Sequence, residues 1–247
     1  MGILRNQFIF NEWIQSGHYG VYISGDSVYN APARRGEKIQ IPGRNGDLIL
    51  DEDSFENISV TYPAAISPRT YDGFDYNIQS LRDALTHIKG YKRLEDTYHP
   101  DEFRLGAYRE GLEVDPFHFN KAGKFNIVFD CKPQRFLKSG ENPITYTASG
   151  TIQNPTWFAS SPLLEVTGNG YIEISGYRIT VSNSPGTIKI DCDIMEAWSE
   201  SGGTKISQNG NVVYRNHATP KLASGTTNVV LGSGITKLVI TPRWWRL

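Results

Sequence analysis

Residues 38–62 read KIQIPGRNGDLILDEDSFENISVTY, and how they are read decides the fold. Two β-patterned arms flank a turn-forming run, Pro42-Gly43-Arg44-Asn45-Gly46-Asp47. Asn-Gly is a strong hairpin signal because a type I′ turn needs positive φ at both central residues. Before the turn, Ile39 and Ile41 share one strand face. Beyond it, Ile58, Val60 and Tyr62 alternate with polar residues, the period-two signature of a half-buried strand. The stretch predicts a β-hairpin followed by a strand with one wet face.

The surrounding chain supports a β protein. Its 247 residues suffice for one large β domain or two smaller ones with real cores. Twenty-four glycines and 13 prolines suit many short strands joined by turns, and the 12% aromatic content suits pleated surfaces. A net charge of −1 gives no single-sign field, so electrostatics offers no argument for a nucleic-acid partner or an anionic membrane. Residues 1–17 lack a long apolar core and a small-residue cleavage site, being interrupted by Arg5, Asn6, Gln7, Asn11 and Glu12. Gly2 does not complete a myristoylation pattern, and no run reaches the ~20 apolar residues of a membrane helix. The expectation is synthesis and folding in a cytoplasm. Cys131 and Cys192, each on an apparently inward strand face, then read as two buried reduced thiols.

One helix is predicted, over residues 76–89. Ile78, Leu81, Leu85 and Ile88 fall on one face, Asn77 can cap the start, Lys89 suits the negative end and Gly90 supplies a left-handed stop. Phe103, Leu105 and Ala107 alternate with Arg104 and Gly106, and Leu112 with Val114 suggests a second short strand. Phe125, Ile127, Phe129 and Cys131 share the face of a strong strand that Pro133 should end. A polar, turn-rich stretch follows, and the domain boundary is expected near residues 134–140, giving domains 1–136 and 137–247.

The second half reads as all β. Leu164 and Val166 alternate. Ile172 and Ile174, then Tyr177, Ile179 and Val181, flank a Ser175-Gly176 hairpin. Ile188, Ile190 and Cys192 alternate with Thr187, Lys189 and Asp191. Asn209-Gly210 is a second Asn-Gly turn signal, and Leu238 with Ile240 forms the last strand. Turn signals at regular intervals without a helix suggest a two-sheet, jelly-roll sandwich.

Catalytic constellations are missing. Asp51, Glu52 and Asp53 cluster, as do Asp101 and Glu102, but adjacent acids alternate faces on a strand and read as solvated turns. The histidines His18, His87, His99, His118 and His217 show no metal-ligand spacing with one another or with cysteine. There is no G-x-S-x-G elbow, Walker A loop or H-E-x-x-H. Gly168-Asn169-Gly170 is a turn and not a dinucleotide loop. No catalytic residue, cofactor or metal is expected, and an enzyme is disfavoured. The aromatics Trp157, Trp198, Tyr214, Trp244 and Trp245 could fill a core or serve as sugar-stacking platforms. Trp244 and Trp245 are adjacent, so on an extended chain they face opposite ways. At most one then faces a core, which makes the pair a candidate aromatic contact surface.

Taken in order, several segments carry a resemblance. They are Phe8 and Phe10, the P-G-R-N-G-D turn, the single helix, Tyr98-His99-Pro100 through Arg104, and K-P-Q-R-F-L from Lys132 to Leu137. Pro162-Leu163-Leu164 with Gly168, "IKIDCDIMEAW" from Ile188 to Trp198, and the terminal "LVITPRWWRL" complete the set. Across essentially the whole chain the sequence resembles the distal tail proteins of long-tailed (siphovirus-type) bacteriophages. The resemblance implies an N-terminal β-sandwich or split-barrel domain with one α-helix, followed by a C-terminal galectin-like or jelly-roll β-sandwich. It implies a structural role as a homohexameric hub at the virion tail tip. The partners it implies are the tail tube protein, a tail-tip hub or tail-associated lysin-type protein, and receptor-binding proteins. A closed ring needs head-to-tail interfaces, and hairpins are natural donors for them. Pro42, Gly43, Arg44, Asn45 and Gly46 are therefore the candidate oligomer interface. The competing expectation is a cell-wall glycan-binding adhesion module.

Overall fold

The computed structural model describes residues 6–24, 30–66, 73–117 and 122–247. Gly2, Arg5 and His118, named above, lie outside them. The chain divides into two compact units, Met1–Arg135 with Leu247, and Phe136–Arg246. Both are mainly β, with curled antiparallel sheets; among the described residues the one α-helix lies in the first unit.

The first unit is built on a sheet whose strands run in the order Ile14–Gln15, Phe8–Phe10, Lys92–Asp96, Glu102–Tyr108, Ala122–Leu137, Ile58–Ile66 and Val21–Ile23. Period-two patterning decides its faces. Ile58, Val60, Tyr62, Ala64 and Ile66 are buried, and they lie opposite the buried Phe125, Ile127, Phe129 and Cys131. Phe129 is the hub of this core. The rings of Phe8, Phe10, Tyr62 and Tyr108 stand 5.0–6.2 Å from it, tilted or edge-on, a geometry that the ring quadrupole favours. Pro133 does not end the long strand. It lies beyond Cys131↔Ile58, the last pair with the neighbouring strand, so its missing N–H breaks no bond of that ladder.

The helix spans Gly73–His87 and buries Phe74, Ile78, Leu81 and Leu85 against this core. It begins earlier than the expected Asn77 cap because Phe74, four residues before Ile78, extends the apolar stripe by one turn. Asp75 sits in the first turn, where a carboxylate suits the dipole, and Gly90 (φ 72°) takes the left-handed conformation beyond the end.

Within Glu102–Tyr108 the expected face is reversed at its first four residues, while Ala107 is buried as expected. Glu102 and Arg104 are buried, whereas Phe103 and Leu105 are only half-buried. Glu102 is inward beside a cation. Arg135 stands 3.6 Å from Glu102 Oε2 and donates to the Leu247 carbonyl at 2.9 Å. Burial and the neighbouring Arg135 push the Arg104 guanidinium below its ordinary value, while Tyr62 and Asp96 pull the other way. Phe103 is covered from outside by Arg93, 3.7 Å above its ring. Leu112 and Val114 precede the short strand Asp115–Phe117 and form none themselves.

The second unit is a two-sheet sandwich. One sheet runs Ile144–Tyr146, Ile235–Thr241, Leu163–Gly168, Thr187–Asp191, Glu196–Ser201 and Thr204–Ser207; the other runs Gly150–Asn154, Gly225–Leu231, Gly170–Ile174, Tyr177–Val181 and Val212–Tyr214. Leu164, Val166, Ile188, Ile190, Leu238 and Ile240 face Ile172, Ile174, Ile179, Val181 and Val229 in one core. Asn209-Gly210 is not a hairpin. The strand before it lies in the first sheet and the strand after it in the second, and Asn209 Oδ1 accepts from the Ala197 N–H at 2.7 Å.

The C-terminal segment is clasped into this sandwich. Gly140 lies so close that an added Cβ would stand 2.3 Å from Trp244 N. The Arg243 N–H donates to the Gly140 carbonyl, and the Leu137 N–H donates to the Trp244 carbonyl. Arg243 itself has φ 58° and is held there by a two-pronged pair with Asp191 at 2.8 and 2.9 Å.

Candidate assembly surfaces

The opening stretch folds as an arm. Strands Arg34–Gln40 and Asp47–Phe55 form a two-stranded sheet of their own, with Gln40↔Asp47, Ile39↔Leu48, Lys38↔Ile49 and Glu37↔Leu50 in register. Not one of their residues is buried. At ~3.4 Å per residue, the seven-residue strand is about 20–25 Å long. Ile39, Leu48 and Leu50 share one face at 39, 43 and 48% exposure, and Ile49 on the other face is 67% exposed. Such a ribbon is marginal by itself in water, and both its outer edges carry unpaired backbone groups.

The tip differs from the expected type I′ turn. The loop is six residues long, and Asn45 lacks the positive φ that such a turn requires. Pro42 and Gly43 instead occupy the centre of a type II turn, closed by the Arg44 N–H donating to the Ile41 carbonyl at 3.1 Å. Pro presets the first position and Gly43 (φ 80°) supplies the left-handed second. Gly46 (φ 83°) makes the return. Pro42, Gly43, Arg44, Asn45 and Gly46 are all exposed, and a Cβ added at either glycine would meet nothing within 4 Å.

The base of the arm is braced. Arg34 pairs with Asp51 at 2.7 Å and lies 5.0 Å over the Phe55 ring. Register shifts here: Arg34 pairs with Phe55 and Gly36 with Asp51, so Glu52, Asp53 and Ser54 oppose Arg35 alone. The acidic run is therefore a bulge, with Asp53 at φ 50° and its N–H on Asp51 Oδ1. Glu102, expected in a solvated turn, is 4% exposed and lies beside Arg135.

The two terminal tryptophans are placed inside the second unit. Trp244 is 5% exposed within its core. Trp245 stacks on Phe158 with 4.5 Å between ring centres and donates to the Ala159 carbonyl at 3.0 Å. They face different ways, and each has a partner within its own unit. Of the five second-half aromatics named above, the exposed one is Trp157, at 89%. Patterning could not single it out, since it lies in a loop with no periodic neighbours.

Among the described residues no three His, Cys, Asp or Glu side chains gather as a metal site. Among those residues no helix is long and apolar enough to cross a membrane. Cys131 and Cys192 are free and buried, and burial pushes both thiols up to about 12, where they are poor nucleophiles at neutral pH. His99 Nδ1 lies 3.1 Å from Asp96, which also accepts from the Tyr62 hydroxyl at 2.7 Å. These groups brace the first core.

No family model and no curated protein matches the sequence. Solved structures do match its fold along nearly its whole length. The Dit (gp 19.1) protein of phage SPP1, described as a paradigm of the hub adsorption apparatus in phages infecting Gram-positive hosts, superposes with a TM-score of 0.72 at 14% identity. That match covers 98% of this chain and 99% of the other. A chain of the phage P2 baseplate in its activated conformation with Ca gives 0.59 at 9% identity, covering 96% and 97%. The same baseplate with Sr gives 0.56 at 9% identity, covering 96% and 98%. The fold of this chain is thus similar to that of the SPP1 hub protein and of a chain of the P2 baseplate.

Proposed function

We propose that this protein is a structural subunit of a phage or phage-derived tail tip, assembling as a hexameric hub between the tail tube and the tail-tip and receptor-binding machinery. The observation that carries the reading is the coverage: both units and their order match a hub protein, with only 2% of this chain outside the match. The arm supports it. A closed ring requires each subunit to present one surface and accept another, and an uncovered ribbon with apolar faces and open edges is a surface to present. The loop of Pro42, Gly43, Arg44, Asn45 and Gly46 stands at the end of that ribbon and forms part of the contact. The work is mechanical and needs no catalytic group. Its axial partners are a tail tube protein above and a tail-tip hub or lysin-type protein below. The working location is the virion tail tip after synthesis in the bacterial cytoplasm.

The test is the solution mass of the purified chain by light scattering, with negative-stain images of the same peak. The expected result is one oligomer of six copies with a central hole. A chain that stays monomeric alone and in the presence of tail tubes overturns the reading, and gives the cell-wall glycan screen its turn.

A further inference from the structure

The chain contains three Asn-Gly pairs, Asn45-Gly46, Asn169-Gly170 and Asn209-Gly210. All three asparagines are exposed, so exposure does not tell them apart. Their tethers do. Asn169 Oδ1 accepts from the Ser184 N–H at 2.8 Å. Its glycine opens a strand, pairs with Val181, and is packed so that an added Cβ would stand 2.4 Å from the Ser233 carbonyl oxygen. Asn209 Oδ1 accepts from the Ala197 N–H at 2.7 Å. Its main chain starts a short 3-10 turn, and its carbonyl accepts from the Val212 N–H. Asn45 has neither kind of restraint. Among the described residues its side chain and the Gly46 N–H make no hydrogen bond, and a Cβ added at Gly46 would meet nothing within 4 Å.

We propose that Asn45 is a site of spontaneous covalent modification, losing its side-chain amide to become aspartate or isoaspartate, while Asn169 and Asn209 are held back by the fold. Asparagine is a thermolabile residue, and the reaction needs only water. The Gly46 nitrogen forms a bond to Asn45 Cγ. The Cγ–Nδ2 bond breaks, and Nδ2 leaves as ammonia with the proton that Gly46 gives up. Water then opens the cyclic imide at one carbonyl or the other. One opening gives aspartate, the other isoaspartate, whose main chain runs through the former side chain. Overall one water enters, one ammonia leaves and nothing is oxidised. The step requires the side chain to swing onto the following nitrogen, and a glycine there puts no Cβ in the way. Asn45 can make that swing without breaking a bond, whereas Asn169 and Asn209 must each first release a main-chain N–H. Either product adds one negative charge at the end of the arm, between Arg44 and Asp47. Isoaspartate also lengthens the main chain between the Pro42-Gly43 turn and strand Asp47–Phe55. The tip therefore carries a record of the age of the chain.

Timed incubation at mildly alkaline pH tests this, with peptic digestion in acid and mass spectrometry at each point. The sample is the full purified chain, diluted until light scattering gives the monomer mass, so that the outcome is independent of whether the chain forms a ring. Asn45 should lose its amide at least about fivefold faster than Asn169 or Asn209, the rate equivalent of the one tethering hydrogen bond that each of those must break. An isoaspartate-specific methyltransferase should label the peptide that contains residue 45. In denaturant, where no tether survives, the three rates should converge. Asn45→Gln should remove the fast phase and leave the two slow ones as they were. Equal rates in the folded chain overturn the proposal. So does a spread that persists unchanged in denaturant, which would assign the difference to sequence neighbours and not to the fold.

Discussion

Two hairpins of this chain share their local signals and differ in what covers them. Gly170–Ile174 and Tyr177–Val181 meet at Ser175-Gly176, a two-residue turn with φ of 52° and 79°. Alternate residues Ile172, Ile174, Ile179 and Val181 are buried because the other sheet of the sandwich lies on them. The arm, Arg34–Gln40 with Asp47–Phe55, has strands as long or longer and no covered face. Both carry β-branched and aliphatic residues at strand positions, and only one has a second layer. In the proposed ring, another molecule would supply the layer over the apolar residues of the arm.

The sharpest way to break this comparison is to truncate both hairpins. Ile179→Ala should cost about 2–5 kcal/mol of second-unit stability, read as a lower denaturant midpoint. Leu48→Asp with Leu50→Asp should leave the stability of the isolated chain within about 0.5 kcal/mol, since neither side chain packs in its core. The same double change should abolish the oligomer in light scattering. If it destabilised the monomer as Ile179→Ala does, the arm would have its covering layer within the chain, and the contrast would vanish.

The clasp at the end of the second unit sharpens the contrast from the covered side. Gly140→Ala pushes a methyl into the Trp244 backbone and should cost about 1–3 kcal/mol, since backbone cannot step aside as a side chain can. Intrinsic fluorescence should shift to the red as Trp244 gains water. Asp191 adds a pH dependence. Burial alone would raise its carboxyl, but the Arg243 fork and the Asp193 N–H outweigh this and hold it below the usual range. Its contribution is therefore present above the ordinary carboxylate value and is lost as pH falls through the depressed one. Asp191→Asn should remove that acid-side slope.

Alkaline titration separates cores from arm at smaller amplitude. Burial pushes Cys131, Cys192 and Tyr214 up to about 12 and raises Tyr62 well above its ordinary value. Each group keeps its proton more tightly folded than unfolded, so its contribution is complete below its ordinary value. It fades as pH rises toward the folded one, for the thiols between about 9 and about 12. Thermal melts of Cys131→Ala and Cys192→Ala should lose part of this slope, one in each unit. Changes in the arm should leave the slope untouched.

What the sequence made legible follows from what decides each element. Where burial decides, as at Ile58–Ile66, Phe125 to Cys131 and Leu164 with Val166, the period-two pattern gives strand and face together. Where distant charge decides, it fails. Glu102 turns inward beside Arg135, and no local pattern announces a partner some 30 residues away. The Asn-Gly signals failed differently. Asn45-Gly46 follows a Pro-Gly pair that makes the turn first, and Asn209 serves as a side-chain acceptor for Ala197. The arm was visible as a hairpin, but not that it would be uncovered, because exposure depends on layers that a local window does not contain.

The smallest expected effect is at the arm's tip, and it decides whether the interface reaches that far. Gly43→Ala forces a side chain into φ near 80°, which costs about 1 kcal/mol and loosens the type II turn. Because nothing lies within 4 Å of that position, the loss should appear in assembly and not in the melting of the isolated chain. The dissociation constant of the oligomer should rise about fivefold if that strain is carried into the contact. Arg44→Glu keeps the turn and reverses its charge, so it isolates the electrostatic part, which salt would screen if the tip stays partly wet. If both variants assemble like the parent by analytical ultracentrifugation, residues 42–46 stand outside the contact. The interface must then lie along Ile39, Leu48 and Leu50, where the double aspartate change already probes it.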